Sequence, residues 1–146
     1  MAVGDVVVFN VALERALESW AGADVMKIAL VTTAVTPAQG DATVTLVTWT
    51  QCANVGSYTT GGVSLGTWAN FVTFSGAVTK FDSSTDPNWA QNASGPSTPR
   101  WGIIYNDTDA SDNAFAFVDL GAVIDLVNGA LTITWNASGI ATITNT

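Results

Sequence analysis

Trp101-Gly-Ile-Ile-Tyr105, then Asn106-Asp-Thr-Asp-Ala-Ser-Asp-Asn113, then Phe115-Ala-Phe-Val-Asp-Leu120 form a short apolar run, a polar stretch and a second apolar run. β-Branched and aromatic side chains fit a pleated, half-buried surface, so the two runs read as strands. The Asp and Asn residues between them favour a turn, because their side chains bond nearby backbone N–H groups. Downstream, Leu131, Ile133 and Trp135 alternate with Thr132, Thr134 and Asn136. That period of two marks a strand with one buried and one wet face. Asn136-Ala-Ser-Gly139 then turns the chain back into a strand over Ile140–Ile143, with Gly139 expected at positive φ.

The same signals extend toward the N-terminus. Met26–Thr33 is apolar on both faces, as a central strand would be, and Ala77–Phe81 is a further strand. Val44–Trp49 reads as a strand, or as a short helix running into Cys52. Tyr58-Thr-Thr-Gly-Gly62 is a turn, followed by brief extended pieces at Val63–Leu65 and Asn70–Phe74. Asp82–Pro99 holds three of the four prolines and is a long connection, because strand signals resume directly after it. The first element is a helix over Val11–Trp20. Leu13, Ala16, Leu17 and Trp20 share one face, Asn10 is the N-cap, and Gly22 the stop. Its apolar stripe is expected to dock on the chain's own sheet, with an arm onto a neighbouring subunit as the alternative. About seven to nine strands at short spacing predict a mainly β chain, an antiparallel β-sandwich or jelly-roll-like domain with one short N-terminal α-helix. The 146 residues form one domain, a leading segment and helix over 1–22 and a β body over 25–146.

Charge narrows the possible partners. Arg15, Lys27, Lys80 and Arg100 stand against twelve acids, a net charge of -8. Nucleic-acid affinity comes from cations neutralising phosphates, so nucleic acid is excluded as a partner, and an anionic membrane is disfavoured for the same reason. Charged residues are 11% of the chain, against about a quarter in an ordinary soluble domain. Such a surface is finished with Thr, Ser, Asn, Gly and apolar side chains, the kind that partners cover. Cys52 is alone, so no intrachain disulfide forms. Asp5, Asn10 and Glu14 interrupt the first apolar run, and no stretch reaches the roughly 20 apolar residues of a membrane span. The expected location is the cytoplasm, or something assembled there.

Catalytic material is sparse. The chain has no histidine, which removes the commonest metal ligand and the commonest general base. Cys52 reads as a small packed residue, and Gly61, Gly62 and Gly66 lack the spacing and lysine of a phosphate loop. Asp107, Asp109 and Asp112 are the one carboxylate cluster and a weak calcium candidate. Asp112 stands where a calcium loop needs glycine, no Glu closes the loop, and a solvated turn explains the acids without a metal. No catalytic residue, metal or cofactor is therefore expected. Of the six tryptophans, Trp101 and Trp135 are expected in the core. Trp49, Trp68 and Trp89 sit near element ends or in loops, where they either fold back on the domain or anchor an interface or a sugar.

The order of segments carries a further likeness. Lys27-Ile-Ala-Leu-Val-Thr-Thr33, Tyr58-Thr-Thr-Gly-Gly-Val63, Trp101-Gly-Ile-Ile-Tyr-Asn-Asp107, Phe117-Val-Asp-Leu-Gly121, Leu131-Thr-Ile-Thr-Trp-Asn136 and Gly139-Ile140 follow one another across nearly the whole chain. That succession resembles a family of small structural proteins of tailed phages and prophages. The resemblance implies a non-enzymatic β-rich capsid decoration or cement protein on the virion surface, assembled in the host cytoplasm. It further implies the major capsid protein as partner, and a homo-oligomer, a trimer first of all, around the symmetry axes. A tail, neck or fibre component of the virion is the alternative within that class. A carbohydrate-binding module for host attachment is the alternative from another class, and a hydrolase built on the aspartates comes last. The Asp82–Pro99 connection matches no motif of the family.

Overall fold

The computed structural model describes residues 3–10, 12, 20–76 and 78–144. The expected helix over Val11–Trp20 lies, apart from Ala12 and Trp20, outside the described residues, and so does Ala77. The chain is mainly β and its sheets are antiparallel, packed as a sandwich-like domain. Its elements are β1 (Val6–Val8), β2 (Val25–Val31), β3 (Val63–Thr67), a single helical turn α1 (Trp68–Phe71), β4 (Val72–Ser75), β5 (Val78–Phe81), β6 (Asn88–Trp89), β7 (Trp101–Asn106), β8 (Ala114–Asp119), β9 (Leu131–Thr132) and β10 (Ala141–Thr144). A five-stranded sheet runs β1-β8-β7-β2-β3, a three-stranded sheet β10-β5-β4, and β6 pairs with β9.

The β7–β8 hairpin is the centre of the fold. Trp101, Gly102, Ile103 and Ile104 face Asp119, Val118, Phe117 and Ala116. The register then shifts, so that Tyr105 faces Ala114 and Phe115 is left without a partner. In a regular strand Phe115 and Phe117 would point to one face. The extra residue of the bulge turns them apart. Phe117 meets Phe9 at 5.2 Å and Trp101 at 6.1 Å, and Phe9 stacks on Trp49 at 5.3 Å. Phe115 meets Phe81 at 5.1 Å, Phe71 at 5.6 Å and Trp68 at 6.0 Å. Every residue of β7 and β8 is buried, so this sheet is covered on both faces, which explains runs of apolar residues where a one-sided sheet would alternate.

Several expected elements end or pair elsewhere. The Val6-Val-Val8 strand was not foreseen, since its partner β8 lies more than a hundred residues away in sequence. Val44–Trp49 is not a strand. Thr45 makes one bridge to Asn113, and a 3₁₀ turn follows over Leu46–Thr48, closed by Leu46 N–H to Asp112 O and Trp49 N–H to Leu46 O. Leu131–Trp135 keeps its alternating burial, yet pairs as a strand over two residues alone. Pro87 accepts from Ile133 N–H but has no N–H to return, and beyond it the Asp86 carboxylate accepts from Trp135 N–H. The closing hairpin expected at Asn136–Gly139 does not form either. Gly139 does turn the chain at φ 91, but Ile140 N–H bonds Phe81 O and β10 pairs with β5. A Cβ on Gly139 would lie 2.8 Å from that same carbonyl, so the switch between sheets needs glycine.

Gly62 is the tightest point against the central sheet. It sits at φ 74, and a Cβ there would lie 1.8 Å from the backbone oxygen of Ile28. Gly66 at φ 108 has open space around it. Gly62→Ala is expected to cost about 4 kcal/mol or more in urea unfolding, because backbone must move. Gly66→Ala should cost about 1–2 kcal/mol, the strain of its φ alone.

Candidate functional site

The Cys52 thiol and both tyrosine hydroxyls are closed off by packing. Cys52 is 2% exposed, and burial pushes its thiol up to about 11 against the opposing contact from Thr98, so it carries no thiolate at neutral pH. Burial likewise drives the Tyr58 and Tyr105 hydroxyls far above the ordinary tyrosine value. Tyr58 accepts from Leu30 N–H at 3.2 Å and lies 3.3 Å from Leu30 O, filling the edge of β2 beyond the end of β3. Tyr105 donates to Gly61 O at 2.8 Å and holds the Gly61-Gly62 turn against the sheet. Both rings are structural.

The acidic turn folds onto its own chain. Asp107 takes Lys27 Nζ at 2.7 Å on one oxygen and lies 3.1 Å from the Tyr105 hydroxyl on the other. Asp109 accepts Ser111 N–H at 2.8 Å and the Asn113 side-chain amide at 2.7 Å. Asp112 adopts φ 49, a conformation Asp and Asn tolerate. Among the described residues no group of three or more His, Cys, Asp or Glu is placed to hold a metal ion. Asp107, Asp109 and Asp112, the weak calcium candidate, are thus not brought together as such a group. The Asp109 carboxylate satisfies donors of the turn, and Asp107 pairs with Lys27 and Tyr105 on the neighbouring strands.

The tryptophans part company too. Trp49 and Trp89 are each 2% exposed, so neither ring reaches the surface where an interface anchor would have to stand. Trp49 packs on Phe9, and Trp89 is fixed in the Asp82–Pro99 connection by the pairing of β6 with β9. Trp68 is half-buried among Trp20, Phe71, Phe81 and Phe115. Trp101 is core as expected. Trp135, also expected in the core, is half-buried and lines a groove.

That groove combines apolar and polar lining. It has a volume of about 420 Å³ and lies between the start of β1, the end of β8 and the stretch from Leu131 to Asn136. Val6 and Val118, register partners in the sheet, form part of one wall, and Ile133 and Trp135 part of the other. Its mouth carries Val3, 74% exposed, which leans over Gly121 beside the exposed Ala122 and Val123. Asp5 and Asp119 bring carboxylates to the lining, and no Lys or Arg is among the lining residues. Asp119 is nearly buried, bonded to the Arg100 guanidinium, which lies 3.9 Å over the Trp101 ring. Sequence reasoning missed this groove because its walls come from opposite ends of the chain. Recognising Val6–Val8 as a strand would have been the available signal.

Comparison with protein-family models, with curated proteins and with solved structures finds no match to this chain. No helix among the described residues is long and apolar enough to cross a membrane.

Two aspartates should act on stability in opposite senses. The Arg100 bond, aided by Gly121 N–H, holds the Asp119 carboxyl below the usual carboxylate range despite burial. Its contribution is complete above the unfolded-state value and disappears as pH falls through the folded value. Asp119→Asn, which leaves the part-buried Arg100 beside an uncharged amide, is expected to cost on the order of 2 kcal/mol at pH 7 and to flatten the acid limb of urea unfolding. Asp112 is raised by burial, then by Asp107 and Asp109. Its charged form is disfavoured in the fold, so Asp112→Asn should gain on the order of 0.5 kcal/mol at pH 7. That gain should vanish below the carboxylate range, where the wild-type group is neutral in both states.

Proposed function

We propose that this chain is a structural protein of a tailed-phage virion, a decoration or cement protein that docks on the major capsid protein and braces adjacent coat subunits on the head surface. The observation that carries the reading is a compact β body with its nucleophile and both tyrosine hydroxyls closed off, set inside an acidic, weakly charged surface that still exposes Val3, Val47 and Val123. Val47 is 83% exposed at the 3₁₀ turn. Apolar side chains left on a rigid body are what an interface covers. The succession of motifs from Lys27 to Ile140 points to the same class.

An interface of about 1,600 Å² gives stable attachment when its centre is apolar and well packed. Repetition over a symmetric shell then adds avidity to contacts that are individually modest. Attachment of this kind needs no cofactor and no reaction, and association of the chain as a trimer would match coat subunits arranged around a threefold axis.

The purified chain is expected to cosediment with expanded capsids of its phage, and in intact virions to appear in proportion to the coat protein by quantitative mass spectrometry. A few copies per particle would assign it to tail, neck or fibre. Absence from purified particles would overturn the virion reading. Glycan binding by the isolated chain, without capsid binding, would favour a sugar-recognition module.

A further inference from the structure

Asn128-Gly129 is the chain's one Asn-Gly pair, and every other asparagine is followed by a residue that carries a β carbon. Glycine leaves its own peptide nitrogen unshielded and free to approach other groups closely, here the side-chain carbonyl of the asparagine before it. Asn128 is exposed, and a Cβ placed on Gly129 would meet nothing within 4 Å, so water has access to both residues.

Asp125, three residues earlier, holds the groups that such an approach would bring together. Its carbonyl accepts the Asn128 N–H at 3.1 Å and the Gly129 N–H at 3.2 Å. Its carboxylate accepts the Val127 N–H at 3.0 Å on one oxygen and the Asn128 side-chain amide at 2.5 Å on the other. A bond to an ionised acceptor is stronger than one between neutral groups. The carboxylate also opposes negative charge developing on the Asn128 amide under attack. While the turn is closed, nucleophile and electrophile are both engaged by Asp125. Opening it frees both.

We propose that Asn128 is the chain's site of spontaneous deamidation and that Asp125 slows the reaction in the folded state. The Gly129 nitrogen attacks Asn128 Cγ, the new N–Cγ bond forms, and the Cγ–Nδ2 bond breaks. The Gly129 proton passes through water to the departing ammonia. Water then opens the cyclic imide at either carbonyl and leaves aspartate or isoaspartate at position 128. Either product sets a second carboxylate beside Asp125 where an amide donor stood, so the bond that closed the turn cannot form again. The change reaches the seam with the long connection. There Asn92 N–H bonds Leu126 O at 2.9 Å, Leu126 N–H bonds Pro96 O at 3.0 Å, and the Gln91 side-chain amide bonds Val127 O at 2.9 Å. Deamidation thus loosens an exposed turn in one direction only. Nothing in this step depends on attachment to a capsid.

The test is incubation of the full chain in mildly alkaline buffer, folded and in urea. Conversion at each asparagine is followed by peptide mapping that separates aspartate from isoaspartate. Asn128 is expected to convert first in both conditions, and severalfold more slowly in the folded chain. Asp125→Ala, with folding checked by circular dichroism, should raise the folded rate toward the urea rate and leave the urea rate unchanged. Asp125→Asn keeps a side-chain acceptor without the charge and should fall between. Gly129→Ala, whose methyl group enters open space, should slow conversion severalfold in both conditions, so the test stands even if Asp125→Ala fails to fold. Converted chain, separated from unconverted, should exchange its amides faster at Asn92 and from Leu126 to Asn128. Conversion as fast in the fold as in urea, an unchanged folded rate in the Asp125 variants, or another asparagine converting first would overturn the proposal.

Discussion

Phe115 and Phe117 stand two residues apart on one strand, yet their rings enter different clusters, because one unpaired residue opposite Ile104 and Tyr105 rotates the strand between them. On one side Phe117 gathers Phe9, Trp49 and Trp101. On the other Phe115 gathers Trp20, Trp68, Phe71 and Phe81. A sheet of this size with one wet face would leave one of these clusters in water. Covering both requires segments on each side, which the stretch around Trp49 to Gly62 and the smaller sheets with α1 provide. Large aromatic side chains each bury on the order of 150–250 Å², so the coverage of two faces accounts for much of the driving force for folding.

The same requirement shapes what remains outside. Large rings are drawn inward, and Trp49 and Trp89 are each 2% exposed. Polar groups that might have served in catalysis are drawn into turns. Asp109 binds the turn that joins β7 to β8, Asp107 pairs with Lys27 of β2, and Tyr58 and Tyr105 tie the covering segments to the sheet. The surface that is left consists of edges, valines and carboxylates. Attachment to another surface, as proposed above, would use what such a body still exposes.

How much of this could be read from residues depends on the range of the interaction. The β7–β8 hairpin and β2 were legible, since each is a run of β-branched and aromatic side chains bounded by turn residues. The positive φ of Gly139 was legible for the same local reason. Val6–Val8 was not, because three valines between Asp5 and Asn10 become a strand only against β8. The destination of β10 was not either. The turn at Asn136–Gly139 signals a reversal, but nothing local distinguishes a return to Leu131–Trp135 from a crossing to β5. Of the candidate site residues, Asp109 bonds within its turn, as Asp and Asn in turns commonly do, whereas the pairing of Asp107 with Lys27 is a long-range contact. The burial of Trp49 and Trp89 depends on what the sheet needed covered, a property of the assembled fold that no local pattern carries.

Amide hydrogen exchange followed residue by residue tests the two-faced sheet most directly. Amides of β2, β7 and β8 are expected to exchange only through global unfolding, all at one free energy, because both covering layers belong to a single cooperative unit. In β1, Val7 should exchange more slowly than Val6 and Val8, whose amides point away from β8. Exchange of β7 and β8 at a free energy well below global unfolding, or equal protection along Val6-Val-Val8, would contradict a central sheet sealed on both faces and ending at β1.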